Sequence, residues 1–270
     1  VHAIGGQFRQ ARALLDDLSD EDRQENRARI AALQAFILRG EGKVQPALEM
    51  ADLALAEGAL SPQGQLVTQI VRSSALCAAG RFAEAREANR AAARLAREAG
   101  DSGSEVLAVY SHARIELGKG ALRHAEQLLR TGLDTAMQEL ARPARIGETR
   151  LQLNLVLVLW HQGRIAEADR LLGLCGRHAE QTRDLGLLLA MAIRVLICRA
   201  ENRLDDAFVW IGRAERTMHA WQVDETLFVP VLEALKATCW LAQNQVESAV
   251  QALQKLQPYR DAGCVPELFP

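Results

Sequence analysis

The chain has 270 residues, of which 49% are hydrophobic, 24% charged and only 4% aromatic, and its net charge is −2. This balance excludes a disordered polyelectrolyte and a basic nucleic-acid binder, and 270 residues would stretch a single globular core close to its upper size. No segment reaches the roughly 18 uncharged apolar residues that span a bilayer, and no signal peptide opens the chain.

One phrase recurs from end to end: a turn residue followed five positions later by alanine. It occurs at Gly6…Ala11, Gly42…Ala47, Gly80…Ala85, Gly120…Ala125, Gly163…Ala168, Asn202…Ala207 and Asn244…Ala249, spaced 36 to 43 residues apart. A period of that size points to helical hairpins stacked side by side. In chain order the pattern predicts a lone second helix over 8–18, then hairpins of first and second helices. These are 23–38 with 44–57, 64–79 with 82–99, 103–119 with 122–139, 144–162 with 165–181, 184–201 with 205–220, and 225–243 with 246–258. Within one of them Ala125, Leu128, Leu129 and Leu133 form a single apolar stripe at helical spacing. Glycine and asparagine tolerate the left-handed conformation that ends a helix, and the alanine lets two helices lie close together.

The predicted fold is therefore all-α: a right-handed superhelical solenoid of antiparallel helix hairpins with a period of about 40 residues, one array over residues 1–270. Ser102-Gly103-Ser104-Glu105 reads as a capping box. Pro62 and Pro143 mark passages between repeats, Pro46 fits a first helical turn, and Pro230 requires a late start or a kink. The chain begins at Val1 with half a repeat, which reads as a piece of a larger protein.

Chemistry-bearing motifs are scarce. The five cysteines, Cys77, Cys175, Cys198, Cys239 and Cys264, are odd in number and widely spaced, as expected of reduced thiols in a cytoplasmic protein. Gly100-Asp101-Ser102-Gly103 resembles the setting of a hydrolase serine, but a serine between helices serves as a cap and no base accompanies it. The six histidines show no metal-binding spacing, no phosphate-binding loop is present, and the acidic pairs Asp16-Asp17 and Asp205-Asp206 read as solvated helix faces. The expectation is a non-enzymatic chain with no metal and no cofactor.

Binding residues are sought on the first helices, which line the groove of such an array. Counting eight back from each turn residue gives Arg72, His112, Leu155, Arg194 and Lys236, and seven back gives the small residues Ser73, Ala113, Val156, Val195 and Ala237. A register one step aside, ten, six and three back, gives Tyr110, Arg114, Trp160 and Arg199, with Arg150 thirteen back. Either stripe can face the groove on helical geometry alone. The candidate site comprises Arg72, Tyr110, His112, Arg114, Arg150, Trp160, Arg194 and Lys236.

The phrase G-x-x-x-x-A, with Ala85/Asn89/Ala92, Ala125/Leu129/Gly132, Ala168/Leu172/Cys175 and Ala207/Ile211/Ala214 following it, resembles a tetratricopeptide repeat. The period is longer than the usual 34, and the first helices lack the Trp and Tyr landmarks. Stretches such as AAGRFAEAREANRAAARLA and QGRIAEADRLL are similar to the sensor region of MalT-like, LuxR-type ATP-dependent transcription regulators. That resemblance implies a region flanked by an ATP-binding switch and a DNA-binding helix-turn-helix, neither of which this sequence carries. It further implies that a small-molecule inducer or protein partner is sensed in the groove, without direct contact to nucleic acid or membrane. A general adaptor gripping a peptide or helix is the alternative. Apolar ends left by excision would favour self-association.

Overall fold

The computed structural model describes residues 7–138, 146–182, 184–223 and 225–263, and every regular element among them is a helix. The chain divides into two compact units, one reaching to Ala121 and the other running from Leu122 to Ala262. The first unit holds α1 (Phe8–Asp16), α2 (Asp20–Glu25), α3 (Arg27–Gly40), α4 (Val44–Ala56), α5 (Pro62–Ala78), α6 (Phe82–Glu98) and α7 (Ser102–Gly118). The second holds α8 (Leu122–Gln138), α9 (Ile146–His161), α10 (Ile165–Thr182), α11 (Gly186–Ala200), α12 (Leu204–Trp221), α13 (Glu225–Ala242), α14 (Val246–Gln254) and α15 (Gln257–Asp261). Hairpins α3/α4, α5/α6, α9/α10, α11/α12 and α13/α14 are the best-packed pairs of neighbours, and within each unit successive first helices also touch. This is the helical-repeat solenoid that the sequence predicts.

The turns explain the spacing. Gly42, Gly80, Gly120, Gly163, Asn202 and Asn244 all have positive φ, between 57° and 77°. At each one the next N–H returns to a carbonyl five residues earlier: Lys43 to Leu38, Arg81 to Leu76, Ala121 to Glu116, Arg164 to Leu159, Arg203 to Cys198 and Gln245 to Trp240, all at 2.8–2.9 Å. This closure satisfies carbonyls at the end of the first helix and turns the chain so sharply that the second helix starts two residues on. Asparagine at two of these sites costs about 1 kcal/mol of left-handed strain that glycine avoids.

Five residues after each of these turns, Ala47, Ala85, Ala125, Ala168, Ala207 and Ala249 are buried. Ala237, seven back from Asn244, packs with Ala249, and Ser73 on α5 donates its Oγ hydrogen bond to the carbonyl of Ala85 on α6 at 2.9 Å. Two small side chains thus let the backbones of a hairpin come within hydrogen-bonding reach. Ala11 is only partly buried, and Gly6 lies outside the described residues. A second kind of close approach involves glycine: a Cβ on Gly118 would come within 2.8 Å of the Phe82 ring.

Several local expectations are corrected. The helix expected over 23–38 is two, α2 and α3, parted at Asn26. The cap of α7 is Asp101 rather than Ser102: its carboxylate accepts the Ser104 N–H at 3.1 Å, and Ser102 is the first helical residue. Pro230 neither delays nor ends α13, which runs through it from Glu225. The helix expected over 246–258 is likewise divided: α14 stops at Gln254, where Pro258 has no N–H to return to that carbonyl, and α15 follows. Pro62 occupies the first turn of α5 behind the Ser61 cap, whereas Pro143 lies outside the described residues.

Substituting Ala85→Leu should cost about 1–3 kcal/mol in urea denaturation, because the hairpin has no room for the added carbons. The same change at exposed Ala83, on the same helix, should shift stability by less than about 0.5 kcal/mol.

Candidate binding surfaces

Two sides of each first helix are already occupied by neighbours. Ser73 and Ala237, seven back, face their own second helices. Those eight back turn to the second helix of the preceding hairpin: Arg72 Nε lies 2.6 Å from Asp52 Oδ1 on α4, and Lys236 Nζ lies 2.5 Å from Glu215 Oε1 on α12 and 2.6 Å from Glu233. Arg194 pairs in the same way with Asp169 on α10. His112 sits 3.7 Å from Glu116 on its own helix. Burial opposes the charge on Lys236, but Glu215 and Glu233 outweigh it and push the ammonium pKa up. Arg72, Arg194 and Lys236 of the eight-back stripe are thus built into ion pairs between hairpins.

A related joint recurs six residues after a turn. Arg86 Nη1 on α6 reaches Glu116 Oε1 on α7 at 2.5 Å, and Glu116 is buried and also paired with Lys119. At the equivalent positions of the second unit, Phe208 on α12 packs on Trp240 of α13 with ring centroids 4.1 Å apart. Charge joins one pair of helices and aromatic packing the other.

At the start of the second unit the joint is a network. Glu126 on α8 accepts from Gln162 at 3.0 Å, from Arg130 at 2.8 Å and from Arg164 at 2.8 Å, and both arginines also bind Glu167 on α10. Burial raises the Glu126 pKa, but the hydrogen bonds from Gln162, Arg130 and Arg164 win and hold it at about 2.

The register ten, six and three back forms the face along which successive first helices meet. In the first unit Arg39 Nε on α3 donates to Ser74 Oγ on α5 at 3.0 Å, and Cys77 Sγ on α5 lies 3.7 Å from the Arg114 carbonyl on α7. Tyr110 and Arg114 are half-buried there. The second unit treats the same positions differently: Leu153, Leu157, Ala192 and Leu196 are buried, which suits helices as uniformly apolar as α9 and α11. Only the helix ends carry polar candidates on that face, Arg150 and Trp160 half-buried and Arg199 exposed. Trp160 stands edge-on to His161 with centroids 4.9 Å apart.

The eight candidate residues are therefore not one cluster: four lie in each unit, and in each unit they are split between two sides of the first helices. Sequence reading also missed Trp210 on α12, whose ring lies under the guanidiniums of Arg194 at 5.9 Å and Arg213 at 5.0 Å. No periodic signal marks it, because it belongs to a second helix.

Among the described residues, no group of three or more His, Cys, Asp or Glu is placed to hold a metal, and no helix is long and apolar enough to cross a membrane. Cys77, Cys175, Cys198 and Cys239 form no disulfide among the described residues, and burial pushes Cys175 up to about 12, which makes it a poor nucleophile. Cys264 lies outside the described residues.

Comparison with known proteins gives the same architecture. Residues 28–265 match the family described as the MalT-like TPR region. A Rap protein complexed with Competence and Sporulation Factor is similar at 14% identity and a TM-score of 0.68, over 96% of this chain and 69% of that one. The Rap conjugation gene regulator of plasmid pLS20, in complex with the Phr* peptide, gives 14% identity and a TM-score of 0.67, over 97% and 71%. A tetratricopeptide repeat protein from Parabacteroides merdae ATCC 43184 gives 17% and 0.57, over 96% and 89%. No curated protein sequence matches the chain.

The Glu126 network has a pH signature. Glu126 binds its proton less readily folded than unfolded, so its contribution is complete above its ordinary pKa of 4.5 and is lost as pH falls towards about 2. Glu126→Gln should cost about 1–3 kcal/mol at pH 7 and almost nothing near pH 2, read from urea denaturation at both values.

Proposed function

Because the chain belongs to the MalT-like TPR region family, we propose that it is the non-catalytic sensing domain of a bacterial transcription regulator. In this reading it binds a regulatory peptide or protein segment on a first-helix face. The observation that carries the reading is the first unit's face along α3, α5 and α7. Tyr110 and Arg114 lie half-open there, while the other sides of these helices are committed to hairpin packing and ion pairs.

A phenol and a guanidinium one helical turn apart suit an extended segment. The ring packs on apolar side chains, and the guanidinium takes a carboxylate or a backbone carbonyl. The complex of a similarly folded protein with the Phr* peptide supports a peptide-class partner. A small-molecule inducer remains the alternative ligand of the same regulatory role.

Binding requires no cofactor in this scheme. Thiols that form no disulfide among the described residues fit a domain that works in a reducing cytoplasm, beside an ATP-dependent switch and a DNA-binding module elsewhere in the regulator. Occupancy would act by shifting the regulator between states of unequal partner affinity. Arg150 and Trp160 offer a smaller polar edge on the second unit. Arg72, His112, Arg194 and Lys236 support the hairpins from which these faces are built.

Peptides selected from a random library against the whole chain test this reading by fluorescence anisotropy. Selected peptides should bind about ten-fold or more weakly to Tyr110→Ala and Arg114→Ala, in line with the loss of one anchoring contact. Arg72→Ala should bind them as the unaltered chain does. Peptides indifferent to both face substitutions would show that the partner sits elsewhere.

A further inference from the structure

On the other side of the second unit, α10, α11 and α12 enclose a cleft of about 130 Å³. Its walls are Leu172, Leu187, Met191 and the Trp210 ring, and its α10 side is floored by Gly173 and Gly176. Neither glycine is required by the fold. Both are inside a helix, neither has positive φ, and a Cβ added at either would meet nothing nearer than 3.9 Å. Glycine in a helix interior costs about 1 kcal/mol relative to alanine, so two here are a standing cost.

Other repeats fill the place of Gly176, and most fill that of Gly173. Thirteen residues after the turn, where α10 has Gly176, they carry Leu55, Ala93, Leu133 and Glu215. Ten after it, where α10 has Gly173, the first three carry Asp52, Arg90 and Arg130, while α12 repeats the glycine at Gly212. What sets this hairpin apart is Gly176, and with it the pairing of two glycines one turn apart on the same helix.

The charged groups at the cleft are unevenly matched. Arg194 is paired with Asp169, and Arg213 donates to Glu180 at 2.6 Å. Both guanidiniums lie against Trp210 and fix the plane of its ring. Arg177, one turn along α10 from Gly173, is exposed and makes no ion pair among the described residues. The cleft therefore combines an apolar, aromatic-walled interior with one uncommitted guanidinium at its lip.

The geometry points to a binding site for a small aromatic carboxylate, with its ring between the Gly173–Gly176 floor and Trp210 and its carboxylate on Arg177. The volume suits one ring: an apolar cavity of about 150 Å³ is known to hold benzene. The ring keeps its apolar faces from water, and the carboxylate gains a charge-assisted hydrogen bond at the rim, where desolvation is slight. A ligand held there touches α10, α11 and α12 together and so fixes the spacing of two successive hairpins. The site is distinct from the first-helix face of the other unit, and neither depends on the other.

The test is calorimetric titration of the whole chain with benzoate and with benzyl alcohol, its uncharged analogue. Benzoate should bind saturably with Kd on the order of 1 mM or tighter, and benzyl alcohol at least ten-fold more weakly. Arg177→Gln should bring benzoate down to the level of benzyl alcohol. Gly176→Leu should abolish binding of both, with a melting temperature at or above that of the unaltered chain. Should Gly176→Leu fail to fold, Gly173→Ala takes its place, with at least a three-fold loss expected. Absence of saturable binding, equal affinity for the two probes, or full affinity in the glycine variant overturns the assignment. The peptide measurements with Tyr110 and Arg114 variants stand whatever this outcome, so failure of one reading is not failure of the other.

Discussion

Each hairpin reverses within two residues, and that reversal rests on one residue held left-handed while the next N–H returns to a carbonyl five residues back. The closure leaves no slack. It fixes where the second helix starts and how near its axis lies to the first. Only small side chains are then tolerated where the axes are closest, which is why alanine stands five residues on and a small residue seven residues back. The hydrogen bond from Ser73 to the Ala85 carbonyl shows how near the backbones come. Hydrophobic burial supplies the stabilisation, and the turn decides which residues receive it.

With that constraint met in every repeat, the joints between hairpins are free to differ. Arg86 with Glu116, the four-residue network around Glu126, and Phe208 on Trp240 do comparable work by different chemistry. The faces differ too. The first unit keeps polar, half-open side chains where its first helices meet, and α9 and α11 of the second bury leucine there. A repeat architecture of this kind places its function where the repeat is broken, and both surfaces proposed for binding are such departures.

The turn phrase made the fold legible from residues alone, because glycine or asparagine followed by alanine states both a backbone conformation and a packing distance. The orientation of the first helices was not legible. Arg72 and Arg114 lie in registers only one step apart, and arginine suits an ion pair between hairpins as readily as an open face. What separated them was Asp52, an acidic partner on the preceding second helix that no local pattern announces. The cap of α7 was misplaced by one residue because Asp101 and Ser102 are both good caps, and it is the Asp101 carboxylate that accepts the Ser104 N–H. The cleft at Trp210 was invisible for a different reason: its signal is missing bulk at Gly173 and Gly176, and a sequence shows what is present more readily than what has been left out.

The difference between the joints has a consequence for how the molecule deforms. Dissolved ions weaken the attraction between Arg86 and Glu116 but leave the contact of Phe208 with Trp240 untouched, and cooling loosens the ring contact while sparing the ion pair. Salt would therefore loosen a joint within the first unit, and cold a joint within the second.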